Sequence, residues 1–229
     1  RRIELDGEPT CITLSAEGMI AVGVDNQIIL LDRQGGRIRR WQVPALSPDG
    51  VILTSLAVDK DAVFAADAVG KVVRYFSRDG ELINTIGDKD LTRNIPGFVI
   101  PSPYFDVAMA SDGLLRVVNP GRHLIEAYTV DGDREWTWGQ AGVGVEGFSG
   151  CCNPINFSIL PDGGFVTAEK GLVRIKEYDP DGNFVGVVAG AEQLEWDRPK
   201  QVCRTPEECS SQGFDVAVDA AGRVYVLDL

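Results

Sequence analysis

Paired tight turns recur along this chain at a spacing that constrains it to a repeating β-structure. A first turn is readable at Glu17-Gly18, Lys60-Asp61, Asp112-Gly113, Asp162-Gly163 and Ala221-Gly222. A second follows at Gln34-Gly35, Asp79-Gly80, Asp131-Gly132 and Asp181-Gly182. The two turns of a unit lie 17, 19, 19 and 19 residues apart, whereas the units themselves run from 43 to 59 residues. A constant interior with variable joints is the signature of a repeated module with loops of differing length. Asp-Gly suits a tight hairpin because Gly accepts positive φ and Asp tolerates it.

Each unit predicts four short strands. In the third they are Phe105–Met109, Leu114–Asn119, His123–Thr129 and Arg134–Trp138; in the fourth, Ile155–Ile159, Gly163–Ala168, Leu172–Tyr178 and Phe184–Ala189. These runs are rich in Val, Ile, Phe and Tyr and are separated by turn residues. No segment keeps a 3.6-residue apolar period beyond a turn or two. The expectation is an all-β chain, a β-propeller with four full blades over about 9–41, 52–87, 104–139 and 154–190 and a partial fifth over 213–229, all in one domain. Residues 1–7 resemble the close of an outer strand such as Ile83–Gly87 and are expected to serve a closing blade.

Several of these strands resemble NHL repeats. They are Ser55–Asp59, Phe105–Ala108 and Phe214–Asp228, with Lys71–Phe76 and Arg174–Tyr178 as later strands of the same unit. The stretch from Gly147 to Gly190 also resembles bacterial NHL-repeat proteins of unassigned role. The resemblance implies a ring that commonly has six blades, of which this chain would be a part. It implies little about function, because such propellers host binding scaffolds and a few lyases and hydrolases.

Composition narrows the class of partner. The 229 residues carry a net charge of −12, a field that repels phosphate backbones, so nucleic acid is not an expected ligand. No run of eighteen apolar residues is present to span a membrane as a helix. Five cysteines and an Arg at the first position lead us to expect a trimmed, periplasmic or extracellular product. Its partner would be a protein, or a membrane-associated complex.

The loops that join one blade to the next lengthen along the chain, from 43–52 to 88–103, 140–153 and 191–212. In a propeller they are expected on one face around the channel mouth, where binding residues usually sit. Four of the five cysteines fall in the last two: Cys151 and Cys152, then Cys203 and Cys209. Adjacent blades would bring these thiols together, as ligands for zinc, copper or an iron–sulfur cluster, or as exchanging thiols. The competing expectation is structural disulfides, with Cys203–Cys209 clipping a short loop.

A second constellation comes from aligning the innermost strands on their turns. Seven residues before the turn stand Cys11, Thr54, Asp106, Asn156 and Asp215, one per blade. A position repeated around a propeller forms a ring. Asp106, Asn156 and Asp215 could there hold a cation such as calcium, as a propeller lyase or lactonase would need, or simply cap strand-end backbone groups.

Other motifs are weaker. Gly142 to Gly147 spells G-x-G-x-x-G, but Phe148 to Pro154 cannot open the helix a dinucleotide site requires. Asp179 to Asn183 lacks the Glu of a calcium loop and falls on a blade turn. His123 is the only histidine and is expected to be structural, and Trp41, Trp136 and Trp138 to pack between blades. The leading expectation is a non-enzymatic binding or assembly scaffold.

Overall fold

The computed structural model describes residues 2–194 and 213–228. Cys203 and Cys209, and any disulfide between them, lie outside these residues. Blade one holds β1 (Pro9–Leu14), β2 (Ile20–Val24), β3 (Gln27–Leu31) and β4 (Arg37–Gln42). Blade two holds β5 (Leu53–Asp59), β6 (Ala62–Asp67), β7 (Val72–Ser77) and β8 (Leu82–Ile86). Blade three holds β9 (Val107–Met109), β10 (Leu115–Asn119), β11 (Leu124–Tyr128) and β12 (Arg134–Trp138). Blade four holds β13 (Asn156–Ile159), β14 (Phe165–Glu169), β15 (Arg174–Tyr178) and β16 (Phe184–Gly190). A two-stranded sheet of β17 (Phe214–Val218) and β18 (Val224–Asp228) follows. Each blade is an antiparallel meander, and the sheets do not exchange strands.

In blades two to four the second strands are buried on both faces because blades cover them on both sides; β6, β10 and β14 have no exposed residue. The core is therefore a series of layers between blades. Ile28 and Leu30 of blade one meet Leu56, Val63 and Phe76 of blade two. Phe64 and Val73 meet Val107, Val117 and Tyr128, and Val118 and Ile125 meet Phe157, Phe165 and Tyr178. Val166 and Ile175 meet Phe214 and Val216. The innermost strands β1, β5, β9, β13 and β17 line one funnel of about 1180 Å³.

The tryptophans do join blades. Trp41 meets Phe76 of the next blade with centroids 5.8 Å apart. Trp138 stacks on Phe165 at 5.3 Å and donates its indole N–H to the Gly182 carbonyl at 2.9 Å. In the intervening joint Asn84 donates to the Val130 carbonyl at 3.0 Å. An outer-strand side chain thus seats the second turn of the next blade at three successive joints.

Several strand boundaries differ from the sequence expectation by one or two residues, with β14 beginning at Phe165 and β15 at Arg174, each two residues late. β9 begins at Val107, two residues late, because Asp106 turns its carboxylate toward the blades on either side. Residues 2–8 form no strand. Instead Leu5 covers Val22, Val24, Ile29 and Leu31 on the outward face of blade one, and Asp6 meets Arg37 and Arg40 at 3.2 Å each.

Candidate functional site

The two long described loops, expected on one face, each divide between two places. Their first halves run along the seam to the second turn of the following blade. Arg93 reaches the Asp131 carbonyl and the Asp133 carboxylate, and Tyr178 donates to the Glu146 carbonyl at 3.0 Å. Their second halves return to the hairpins between second and third strands. Gly121 donates to Val99, and the Asn153 side chain donates to the Lys170 carbonyl while accepting from the Lys170 amide.

The loops are also anchored from within each blade. Six residues after the first turn and seven further on stand Asp67 and Arg74, Asn119 and Glu126, Glu169 and Lys176. All six are buried and each pair is in contact. Asp67 accepts from the Ile52 amide at 3.4 Å and Asn119 from the Val99 amide at 2.9 Å. Lys176 donates to the carbonyls of Val145 and Gly147 at 3.2 and 2.8 Å. Burial pulls the Lys176 ammonium below its ordinary pKa, against the pull of Glu169. The Gly-rich loop thus turns carbonyls toward a buried cation, the opposite polarity from a phosphate cradle. In blade one the same two positions are Val24 and Leu31, both buried. Sequence reasoning passed over these pairs, although a polar residue recurring at a fixed offset from the turn was the available signal.

The funnel ring is assembled as a girdle of cross-blade hydrogen bonds. Thr54 donates to the Phe105 carbonyl at 2.6 Å. Asp106 accepts from the Ser55 hydroxyl at 2.6 Å on one side and from the Phe157 amide at 2.8 Å on the other. Asn156 donates to the Phe214 carbonyl at 2.8 Å. Asp215 accepts from its neighbour Val216 at 2.8 Å and stands open to solvent. Cys11 lines the same funnel, and burial pushes its thiol up to about 11. Each of Thr54, Asp106 and Asn156 thereby latches its blade to the next. Among the described residues no three His, Cys, Asp or Glu side chains converge on a point where they could hold a metal ion.

Asp106 keeps some surface, but its carboxylate is enclosed. Burial first, and repulsion from Asp215 second, push it up to about 7. The folded chain therefore holds a proton that the unfolded chain releases near 3.8. Stability from this group is complete below pH 4 and is lost as pH rises toward 7. The carboxylates held below their ordinary range, Asp90, Asp112, Asp179 and Asp219, act in the opposite sense and below that window. The urea midpoint is expected to fall between pH 5 and pH 8, and Asp106→Asn to remove at least half of that fall. An undiminished slope in the variant would remove Asp106 as the source.

The second constellation centres on Cys151 and Cys152, whose sulfurs lie 3.3 Å apart as free thiols. Cys151 is exposed; Cys152 is only 2% exposed. The Ser102 hydroxyl donates to the Cys152 sulfur at 3.5 Å, and the Lys170 ammonium donates to Ser102 at 3.0 Å. Lys170 also lies 4.5 Å from the centre of the Tyr104 ring. Burial opposes ionisation of Cys152, but the bonds from Ser102 and Cys151 and the Lys170 charge outweigh it and hold its pKa below the ordinary value. Cys151 is raised, first by its bond to Cys152 and then by burial. His123 donates through Nδ1 to the Asn153 carbonyl at 3.0 Å, a structural clip next to the pair. Of the four loop thiols, these two are the ones among the described residues, and the structure brings them together.

No protein-family model matches the chain, and no curated protein matches it in sequence. Solved structures do match. A streptogramin B lyase superimposes with a TM-score of 0.56 at 14% identity, over 98% of this chain and 70% of that one. A catalytically inactive virginiamycin B lyase from Staphylococcus aureus, with quinupristin, gives 0.54 at 14%, over 97% and 78%. A glutaminyl cyclase from Myxococcus xanthus gives 0.57 at 13%, over 95% and 84%. The chain is a β-propeller that resembles virginiamycin B lyase and similar propellers in fold. At these identities the likeness carries the architecture alone. Among the described residues of this propeller no helix is long and apolar enough to cross a membrane.

Proposed function

We propose that this chain is a non-enzymatic binding scaffold of the NHL-like kind, acting outside the cytoplasm and taking a protein partner on its inter-blade loops. The observation that supports this reading is apolar side chains held out on loops whose backbone is fixed. Val143 is 89% exposed, although its loop is tied to Lys176 through Val145 and Gly147. Leu91 is 71% exposed at a single helical turn whose amides are capped by the Asp90 carboxylate. Apolar anchors on preordered loops lose little conformational freedom on binding.

The test places a photo-crosslinking amino acid at position 143 or 91, and at 113, in a first turn where nothing lies within 4 Å of an added Cβ. With the extracytoplasmic fraction of the native cell, a discrete adduct is expected from 143 and 91 and none from 113. The captured protein, once purified, should bind at least about tenfold more weakly to Val143→Asp at an unchanged melting temperature. Adducts from 113 alone, or none, would overturn the reading. The lyase structures raise the enzymatic alternative, which is tested by incubating the protein with quinupristin; an intact compound is expected, and its cleavage would replace the scaffold. A thiol-based reading is favoured by the Cys151–Cys152 pair and is developed next.

A further inference from the structure

We infer that Cys151 and Cys152 form a thiol–disulfide exchange site for a low-molecular-weight disulfide. This does not depend on the docking role of the loops. The sulfurs already lie 3.3 Å apart; bonding them closes an eight-membered ring whose Cα atoms, about 3.8 Å apart, are closer than in most disulfides, so the bond is strained and easily reduced, as an exchanging rather than a structural bridge requires. The two thiols differ in access. A reagent from solution meets exposed Cys151, while Cys152 stands behind it.

The third observation is Lys170. Its side chain is buried, and among the described residues it meets the Ser102 hydroxyl and the face of Tyr104, without a carboxylate at ion-pair distance. A buried ammonium is costly unless negative charge stands near it. Here the group able to supply that charge is the Cys152 sulfur, one hydroxyl away. A packing role for the two cysteines would leave the lysine without a purpose, since an aliphatic side chain would fill its place.

The chemistry balances without a further reactant. The Cys151 thiolate attacks one sulfur of R–S–S–R; that bond breaks, R–S⁻ leaves and takes a proton, and a mixed disulfide stands on Cys151. The Cys152 thiolate then attacks the Cys151 sulfur and expels the second R–S⁻. The protein dithiol is oxidised by two electrons, and the disulfide is reduced to two thiols. In reverse, an outside thiolate attacks Cys151, and Cys152 departs as a thiolate beside Lys170. A stabilised thiolate is the faster leaving group.

Reduced protein is incubated with glutathione disulfide, alkylated, and read by intact mass and peptide mapping. The peptide holding both cysteines is expected to fall by about 2 Da and to resist alkylation. Cys152→Ser should stop at one glutathione on Cys151, and Cys151→Ser should take none on Cys152 over the same time. Lys170→Gln should still close, but dithiothreitol should reopen it about tenfold more slowly. A lasting glutathione adduct in the wild type, or a bond from either residue to a different cysteine, overturns the site. Reopening of Lys170→Gln at the wild-type rate overturns the part assigned to the lysine.

Discussion

Lys176→Met is expected to destabilise the fold by about 3–5 kcal/mol, the usual cost of removing one member of a buried ion pair. Glu169 would remain fully buried with Arg174 as its surviving partner, at 2.6 Å. The buried Gly147 carbonyl would lose its donor, and the part-buried Val145 carbonyl its bond to the same ammonium. For a chain of this length the melting temperature should drop by about 2–4 °C per kcal/mol. The loss should also be local: amides across 140–148 should exchange faster with solvent than those of blade two. The companion is Glu169→Leu combined with Lys176→Met, which copies the apolar pair that blade one carries at Val24 and Leu31. It should recover only part of the stability, because both fully buried charges are gone while Arg174, 15% exposed, loses its carboxylate partner. Slow exchange across 140–148 should not return, because no donor faces the loop carbonyls. If the single variant melts with the wild type, Lys176 does not hold the loop.

That contrast between blades bears on how far the sequence could be read. The turns were legible because Asp-Gly at constant spacing has few other uses, and they placed most strands to within two residues. The buried pairs were hidden by the rule that exposes them elsewhere. Polar residues within an apolar run usually mark the solvent face of a strand, but strands such as β6, β10 and β14 have no solvent face. The ring of Thr54, Asp106 and Asn156 was readable as a position, and its capping role was among the expectations. Which atoms each side chain reaches across the blade joint was not, since those partners lie 51 to 58 residues away in sequence. The cysteine pair shows the same limit. Its adjacency is in the sequence, whereas its chemistry depends on Ser102, which lies 68 residues from Lys170.

The blade joint yields the second large effect, at Gly182→Ala. This residue has φ of +83°, where a side chain is strained by roughly 1–2 kcal/mol. An added Cβ would also fall 1.9 Å from the Trp138 indole nitrogen, on a rigid ring stacked against Phe165. Either the turn or the indole must move, and with it goes the hydrogen bond to the Gly182 carbonyl, worth about 1 kcal/mol. The expected total is about 3 kcal/mol or more, read as a lower urea midpoint with loss of the tryptophan near-ultraviolet signal. Gly113→Ala separates the two causes. Its φ is +81°, and nothing lies within 4 Å of an added Cβ, so it should cost the backbone strain alone. Equal losses at the two positions would mean that Trp138 yields freely and that the outer-strand aromatic does not fix the turn of the next blade. A larger loss at Gly182, partly relieved by Trp138→Phe, would show that neighbouring blades are held in register at their rims as well as by the girdle at the funnel.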